Sequence, residues 1–344
     1  MFGSFFAGKR VLLTGHTGFK GSWLLVWLRD LGAEVCGLSL APATSPALFD
    51  LVEGPKLCAR HVVGDIRDAD LARRTVVEFD PEIAIHMAAQ ALVLPSYEDP
   101  IGTFATNVQG TVNLLSALRE ASRLTRVLIV TSDKVYANDG SGRAFAETDR
   151  LGGHDPYSAS KAACEMAVES FRASYFVDGK VALSVGRAGN VIGGGDWAPY
   201  RIVPDAERAI VAGKPLVLRR PGAIRPWQHV LDPLAGYLTL VASGKSGAYN
   251  FGPDPANRRN VGDLIARFAM ANEGVPATVL ENAPQAQEAP YLVLSSEKAA
   301  RDLDWRPKLD FDRAVDTTAQ WYKRRRAGVD ALALVRADIA AFSA

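Results

Sequence analysis

A glycine-rich turn near the N-terminus constrains the fold more than any other stretch of this sequence. Residues 10–14 form an apolar run that predicts a β-strand, Gly15, Gly18 and Gly21 follow it, and residues 22–31 have the apolar spacing of a helix. This order describes a βα unit that binds a dinucleotide, because the glycines let the backbone approach a pyrophosphate at the helix N-terminus. The spacing is GxxGxxG and not the generic GxGxxG, so a glycine connection without a ligand is the alternative.

Strands and helices continue to alternate after this unit. Residues 33–40 and 83–89 read as strands, a further short strand begins at residue 61, and residues 69–79 read as a helix. This alternation predicts an α/β fold with a doubly wound parallel sheet. The second strand ends in Ser39-Leu40, without the acidic residue that usually binds the ribose of NAD, so this position leaves NAD and NADP open.

The regular alternation weakens at about residue 180, where proline and glycine become more frequent. We therefore predict a nucleotide-binding domain over residues 1–180, to which the chain returns at about 220–255. Residues 181–344 would mainly form a smaller C-terminal lobe that binds the substrate and closes over the carboxyl edge of the sheet.

Composition excludes several classes of function. The 344 residues carry a formal net charge of +1, and the one dense basic run, residues 323–326, reads as a helix end, so nothing indicates nucleic-acid binding. Cys36, Cys58 and Cys164 lack CxxC spacing, which indicates neither a disulfide framework nor a metal site. No apolar run reaches about 18 residues and the N-terminus lacks a signal-peptide pattern, so we expect a cytoplasmic protein without membrane contact.

Two polar motifs stand where a parallel sheet would place chemistry. Ser132, Asp133 and Lys134 directly follow the apolar strand at residues 127–130, and the carboxyl ends of such strands line the ligand crevice. Tyr157 and Lys161 are four residues apart on a predicted helix, so one helix face presents both. An ammonium near a phenol lowers the pKa of the tyrosine and makes it a base usable near neutral pH. Taken alone, each motif could also be a solvated surface feature.

Four blocks of sequence, taken together, resemble the extended short-chain dehydrogenase/reductases, and within them the CDP-glucose 4,6-dehydratases. The blocks are residues 14–23, 131–136, 189–197 and 224–230, and the resemblance runs from Gly8 to Trp321. It implies a Rossmann-like fold, NAD as cofactor and a nucleotide-sugar 4,6-dehydratase, with CDP-glucose favoured. Related dTDP-glucose and GDP-mannose dehydratases place a glutamate where Lys134 stands.

The resemblance also implies a role for each polar residue of the two motifs. Tyr157 would remove the proton of the sugar C4 hydroxyl as hydride leaves C4, Lys161 would lower the pKa of Tyr157 and bind the nicotinamide ribose, and Ser132 would hydrogen-bond the C4 oxygen. Lys134 would then take the C5 proton, and Asp133 would protonate the departing C6 hydroxyl before hydride returns to C6.

The binding residues implied by the resemblance fall into two groups. Those expected at the cofactor are Gly15, Thr17, Gly18, Phe19, Lys20, Gly21, Asp65, Ile66, Ala88, Ala89, Tyr157 and Lys161. Those expected at the nucleotide-diphosphate sugar are Asn190, Arg201 and Arg225, of which Arg225 is also a candidate for phosphate on its chemistry alone. A homodimer or higher homo-oligomer is implied, with helices near residues 100–121 and 157–176 against the partner copy.

The sequence departs from the family pattern at positions that would border the substrate. The family has an arginine shortly after Ala88-Ala89-Gln90, which is absent here, and residues 287–291 replace a segment that resembles His-Glu-Ala-His-Tyr. These departures therefore leave the nucleotide base and the sugar of the substrate undecided. An epimerase acting through the same 4-keto intermediate and a dehydratase for another nucleotide sugar are the enzymatic alternatives. A non-catalytic NAD-binding scaffold is the third alternative. The presence of all five residues to which the resemblance gives a catalytic role argues against it.

Overall fold

A computed structural model describes residues 2–218, 221–254, 259–272, 278–280 and 292–344. In the first half the elements are β1 (Arg10–Thr14), α1 (Phe19–Asp30), β2 (Glu34–Ser39), α2 (Leu48–Leu51), α3 (Gly54–Leu57), β3 (Arg60–Val63), α4 (Ala69–Phe79), β4 (Ile83–His86), α5 (Val93–Glu98), α6 (Pro100–Phe104), α7 (Gly110–Leu118), β5 (Arg126–Val130), β6 (Ala144–Phe145) and α8 (Pro156–Ser174). A π-helical turn, Ala105–Gln109, joins α6 to α7, and a 3₁₀ turn, Asp133–Val135, follows β5.

The second half mixes short strands with helices. Its elements are β7 (Ala182–Ala188), β8 (Val191–Ile192), α9 (Ile202–Ala212), β9 (Leu216–Leu218), β10 (Ile224–Arg225), β11 (Gln228–His229), α10 (Leu231–Ser243), β12 (Gly247–Phe251), β13 (Arg259–Asn260), α11 (Val261–Ala271), β14 (Thr278–Leu280), β15 (Val293–Leu294), α12 (Glu297–Leu303), α13 (Phe311–Arg326) and α14 (Ala331–Ser343).

A seven-stranded parallel sheet forms the centre of the molecule, in the order β12-β7-β5-β4-β1-β2-β3. The chain builds outward from β1 to β3 and then crosses back to add β4, β5, β7 and β12 on the other side. The strand order therefore reverses between β1 and β4, which is where ligands bind in open α/β sheets. The predicted doubly wound parallel sheet is confirmed.

Helix α1 fixes the position of the glycine turn. It begins at Phe19, three residues before the predicted start, because the backbone amide of Ser22 already bonds to the carbonyl of Gly18. Trp23 and Trp27 are buried, and two large aromatic side chains bury on the order of 300–500 Å² together. The indole Nε1 of Trp23 donates to the carbonyl of Gly194 at 2.9 Å, so α1 is tied to the loop that follows β8.

The second half of the chain contributes strands to the main sheet and also forms separate two-stranded pairs. Strands β7 and β12 extend the main sheet, whereas β8–β11, β9–β14 and β10–β13 are separate two-stranded pairs. The division near residue 180 and the smaller C-terminal lobe stay predictions. Helix α13 ends at Arg326 with four basic residues in its last turn, as expected of that run.

A C-terminal helix, α14, was not predicted. Phe342 packs edge-on against Trp27 with ring centroids 5.9 Å apart, and Arg336 pairs with Asp30 at 2.9 Å, so α14 covers the outer face of α1. Within the described ranges, no helix has both the length and the apolarity needed to cross a membrane.

Candidate active site

All of the residues predicted to catalyse or to bind a ligand line one cleft at the carboxyl edge of the sheet. The cleft has a volume of about 1390 Å³, ample for a dinucleotide together with a second nucleotide. The predicted residues on its walls are Gly15, Thr17, Gly18, Phe19, Lys20, Gly21, Asp65, Ile66, Ala88, Ala89, Ser132, Asp133, Lys134, Tyr157, Lys161, Asn190, Arg201 and Arg225.

The glycine turn has no room for side chains where it meets its neighbours. Gly15 has φ +74°, and a Cβ there would lie 2.6 Å from the backbone nitrogen of Ala88. A Cβ at Gly21 would lie 2.1 Å from the carbonyl oxygen of Gly15, so the first turn of α1 rests directly on the loop. A pyrophosphate binds at a helix N-terminus where the backbone is closely packed and has no side chains in the way. The glycine turn meets this requirement, so the residues present fit a dinucleotide.

The turn is anchored to the end of β2 by Thr17. Its hydroxyl bonds with the hydroxyl of Ser39 at 2.8 Å and lies 2.9 Å from the carbonyl oxygen of Leu40. Ser39, the last residue of β2, and Leu40, which follows it, stand where an acid normally binds ribose, and both line the cleft. Asp65, expected beside the adenine, has its carboxylate held by the backbone amide and guanidinium of Arg67, and those hydrogen bonds lower the pKa of Asp65.

His86 is a buried structural residue at the end of β4. Its Nδ1 lies 2.7 Å from the Thr14 hydroxyl, and its Nε2 lies 3.0 Å from the Thr111 hydroxyl, which itself donates to the carbonyl of Asn107. Nε2 therefore carries the proton, and Nδ1 accepts from Thr14. Burial, assisted by the charge of Lys161, lowers the pKa of His86 to about 3, so the ring stays neutral and joins the ends of β1 and β4 to α7.

Ser132 caps the 3₁₀ turn that follows β5, and Asp133 and Lys134 are the first two residues of that turn. The Ser132 hydroxyl donates to Asp133 Oδ1 at 3.0 Å and accepts from the backbone nitrogen of Lys134 at 3.2 Å. Asp133 is 3% exposed, and its Oδ2 has no hydrogen-bond partner among the described residues. It lies close to Gly189, where a Cβ would come within 2.8 Å of that oxygen. A buried carboxyl with one oxygen directed at a glycine loop is suited to exchange a proton with a ligand.

Tyr157 and Lys161 lie in the first two turns of α8, which packs against the 3₁₀ turn. The helix begins where Asp155 accepts from the backbone nitrogen of Ser158 at 2.9 Å. Tyr157 is 8% exposed, and the ammonium of Lys161 donates to the carbonyl of Val130 at 3.4 Å, immediately before the 3₁₀ turn. The structure thus brings the phenol, the ammonium and the Ser132–Lys134 turn to one wall of the cleft.

Lys20 lies among other charged groups of the cleft. Burial, together with the charges of Arg201 and Lys161, lowers the pKa of Lys20 to about 8, and the charge of Asp133 opposes this shift. Lys20, predicted only as a cofactor residue, thus lies within electrostatic range of the catalytic turn. Lys20, Lys161 and Arg201 line the same cleft, and their positive charges favour a diphosphate there.

The residues expected at the sugar nucleotide line the same cleft. Arg201 bonds to Asp196 Oδ2 at 2.9 Å, and because Asp196 is buried while Arg201 is 35% exposed, the acid holds the guanidinium at the cleft surface. Arg225 lies on β10 and donates to the carbonyl of Ile224. Asn190 follows Gly189 in the glycine loop. Sequence reasoning assigned no role to Asp196, although an acid five residues before an arginine was a usable signal.

A buried polar network supports the catalytic turn from behind. Thr131, the residue before Ser132, donates to Glu165 Oε1 at 2.6 Å, and Glu165 is paired with Arg187. Both side chains of that pair are 4% exposed. Arg187 also donates to the hydroxyl of Tyr136 at 2.7 Å, so residues on both sides of the turn are held by one ion pair. The sequence did not reveal this network.

Glu165→Gln is expected to destabilise the protein strongly. The change leaves the buried guanidinium of Arg187 without its counter-charge, which costs about 3–5 kcal/mol of unfolding free energy. Urea unfolding measures the loss. The matched control is Glu169→Gln on the same helix, because the Glu169–Arg172 pair is exposed and such pairs contribute only about 0–1 kcal/mol. Equal losses in the two variants would contradict a supporting role for the buried pair.

Comparison with curated proteins gives similarity over nearly the whole chain. The chain is 40% identical to a CDP-glucose 4,6-dehydratase from Salmonella typhimurium strain LT2, with 98% of this chain and 96% of that protein covered. It is 29% identical to a dTDP-glucose 4,6-dehydratase from Xanthomonas campestris pv. campestris, with 90% and 92% covered.

Solved structures show the same fold. A crystal structure of dTDP-glucose 4,6-dehydratase from Streptomyces venezuelae, with NAD bound, matches with a TM-score of 0.79 at 26% identity and covers 94% of this chain and 99% of that one. A UDP-glucose 4-epimerase from Thermus thermophilus, in complex with NAD, matches with a TM-score of 0.80 at 28% identity, covering 93% and 100%.

The match to a family model is equally extensive. The model described as GDP-mannose 4,6 dehydratase matches residues 12–318. That range includes the glycine turn, the Ser132–Lys134 turn, the Tyr157 helix and Arg225, so the resemblance inferred from the four sequence blocks is confirmed. The chain belongs to the GDP-mannose 4,6 dehydratase family.

Proposed function

We propose that this protein is an NAD-dependent CDP-glucose 4,6-dehydratase, which converts CDP-glucose to CDP-4-keto-6-deoxyglucose and water. The observation that carries the proposal is the buried Asp133 beside Lys134 at the end of β5, on the same cleft wall as Tyr157 and Lys161. An acid and a base next to an oxidising site are what a 1,2-elimination at a sugar needs. The choice of nucleotide rests on the Salmonella typhimurium relative, which is named a CDP-glucose 4,6-dehydratase.

The cofactor region of the cleft supports NAD. The turn from Gly15 to Gly21 would hold the pyrophosphate, Asp65 and Ile66 would border the adenine, and Ala88 and Ala89 would lie along the dinucleotide. Bound at this turn, NAD would supply reversible hydride transfer, from C4 and back to C6, so that the overall reaction would be redox-neutral. The NAD-bound structures from Streptomyces venezuelae and Thermus thermophilus support this choice over NADP.

Tyr157 acts first, as the base for the C4 hydroxyl. Lys161, buried four residues further along α8, adds a positive charge on the same helix face. The Ser132 hydroxyl, which bonds to Asp133 in the structure, reorients to donate to the C4 oxygen. The product of this step is a 4-keto sugar whose C5 proton is acidic because it is next to the carbonyl.

Lys134 and Asp133 then carry out the elimination. The amine of Lys134 takes the C5 proton, and Asp133 transfers its proton from Oδ2 to the C6 hydroxyl. The C6–O bond breaks as the C5–C6 double bond forms, and the hydroxyl leaves as water. The elimination requires one group that accepts a proton and a neighbouring group that donates one. The 3₁₀ turn presents both groups, Lys134 and Asp133, to the same cleft.

A panel of nucleotide sugars tests the proposal. Purified protein is incubated with NAD and, separately, with CDP-glucose, dTDP-glucose, UDP-glucose and GDP-mannose, and the products are identified by NMR. We expect a 4-keto-6-deoxy sugar from CDP-glucose at the highest rate. A C4-inverted sugar would make the protein an epimerase, a higher rate on another nucleotide would change the substrate, and NAD binding without any turnover would indicate a scaffold.

We also propose that the protein assembles through α6 and α8. Ile101 on α6 is 83% exposed and Met166 on α8 is 60% exposed, and the two helices pack against each other. Tyr97 and Phe104 are exposed in the same region. Exposed apolar side chains on packed neighbouring helices are typical of an interface between copies.

Ile101→Glu is expected to reduce the oligomer to monomers, because a carboxylate would be desolvated at the interface. Size-exclusion chromatography with light scattering measures the mass. The control is Val211→Glu on α9, where the replaced side chain is also exposed, at 68%. A monomeric wild-type protein would refute the interface. The expected location in the cytoplasm stays a prediction.

A further inference from the structure

Three potential metal ligands converge beside the glycine turn, outside the catalytic cleft. They are His16 in the turn, Cys58 in the connection after α3 and His61 on β3, and their ligand atoms all lie within 4.8 Å of one another. His16 Nε2 and His61 Nδ1 are 2.8 Å apart. His16 is buried, whereas Cys58 and His61 are partly exposed and therefore accessible from solvent. None of the three lines the cleft.

The fold makes specific room for this cluster. Gly37 on β2 is the register partner of His61, and a Cβ at residue 37 would lie 2.5 Å from the His16 ring. The absence of a side chain there lets the His16 imidazole cross over β2 to reach β3. The ring of Phe49 lies 5.2 Å from each imidazole and packs edge-on against His16, so the histidine pair is held from a second side.

We propose that His16, Cys58 and His61 bind a divalent transition-metal ion that prefers nitrogen and sulfur ligands, with Zn²⁺ as the type. Two imidazoles and a thiolate with a solvent molecule in the fourth position make a tetrahedral zinc site. With Zn–N distances of about 2.0–2.1 Å the two nitrogens stand about 3.4 Å apart in such a site. The imidazoles therefore turn apart by roughly half an ångström when the ion enters.

Metal binding would change the hydrogen bonding of the cluster. Each imidazole must present a nitrogen lone pair to the ion, so the hydrogen bond between His16 Nε2 and His61 Nδ1 breaks as the ion enters. As the sulfur–metal bond forms, the thiol proton is released to solvent, as is usual for cysteine ligands.

The proposed metal site lies between the dinucleotide turn and the central sheet. His16 stands between Gly15 and Thr17, the residues that shape the dinucleotide turn, and His61 is on a strand of the central sheet. A bound ion would join the turn to β3. Sequence reasoning missed the cluster, because residues 16, 58 and 61 have no zinc-ligand spacing and meet only through the pairing of β2 with β3.

Titration of the full-length protein with Co²⁺ tests the proposal directly, because Co²⁺ reports thiolate ligation by a charge-transfer band. We expect one equivalent to bind with that band, Zn²⁺ to displace it, and Zn²⁺ to raise the thermal unfolding temperature. Cys58→Ser and His61→Ala should each weaken binding by more than about 100-fold, since loss of an outer-sphere partner alone costs about 10–100-fold. Controls are Cys36→Ala and His154→Ala, which remove the same residue types elsewhere and should bind normally.

A second measurement uses the wild-type protein and so does not depend on the folding of any variant. Alkylation of Cys58 by iodoacetamide, followed by mass spectrometry, should be slowed by one equivalent of Zn²⁺, with no matching change at Cys36. Unchanged alkylation, a Co²⁺ spectrum without a thiolate band, or equal binding by the Cys58→Ser variant would each overturn the proposal.

Discussion

Lys134→Ala is expected to stop the loss of water while leaving the oxidation at C4 in place. The alanine variant keeps Tyr157, Lys161 and Ser132, which act at C4, but has no base for the C5 proton. Because a positioned general base contributes about 10²–10⁴-fold to a rate, the 4-keto-6-deoxy product should form slower by that factor. Product formation is followed by NMR, and C4 oxidation by the absorbance of reduced nicotinamide, which should accumulate with CDP-glucose.

Two further variants make this result specific to a base at residue 134. Lys134→Glu supplies the carboxylate that related dehydratases carry at this position, and it should recover part of the activity that alanine loses. Lys180→Ala removes an exposed lysine that pairs with Asp178, and it should behave as the wild type. A Lys134→Ala variant that forms product at the wild-type rate would refute the assigned role.

Tyr157→Phe is expected to abolish the first step and therefore everything after it. The phenyl ring keeps the packing of α8 but has no hydroxyl to accept the C4 proton. We expect a loss of about 10²–10⁴-fold or more, with no reduced nicotinamide, which distinguishes this variant from Lys134→Ala.

The matched control is Tyr175→Phe at the end of the same helix. Tyr175 is 50% exposed and its ring contacts Arg119, so removal of its hydroxyl should change neither step. A Tyr157→Phe variant that still reduced NAD in the presence of CDP-glucose at the wild-type rate would show that another group is the base.

The main sheet and the meeting of the proposed catalytic residues in one cleft could be predicted, because each depends on local sequence. Glycine spacing and apolar runs determine β1, α1 and the strands that follow, and a polar group directly after a buried strand must lie at the carboxyl edge of a parallel sheet. Ser132, Asp133 and Lys134 satisfy that rule. Tyr157 and Lys161 share a helix face because they are four residues apart.

The supporting interactions could not be predicted, because they join residues that are distant in sequence. Glu165 and Arg187 are 22 residues apart and meet only once α8 lies beside β7. The pairing of His16 with His61 likewise depends on the register of β2 and β3. Residues 287–291, where the chain departs from the family pattern, lie outside the described residues, so their relation to the substrate stays a prediction.

The most direct test of the proposed reaction follows a single hydrogen through it. CDP-glucose that carries deuterium at C4 is incubated with the protein and NAD, and the label is located by NMR. We predict that deuterium moves from C4 to C6 of a 4-keto-6-deoxy sugar, with a solvent hydrogen at C5. Deuterium retained at C4 of a configurationally inverted sugar would contradict this, because the Ser132–Lys134 turn would then not eliminate water.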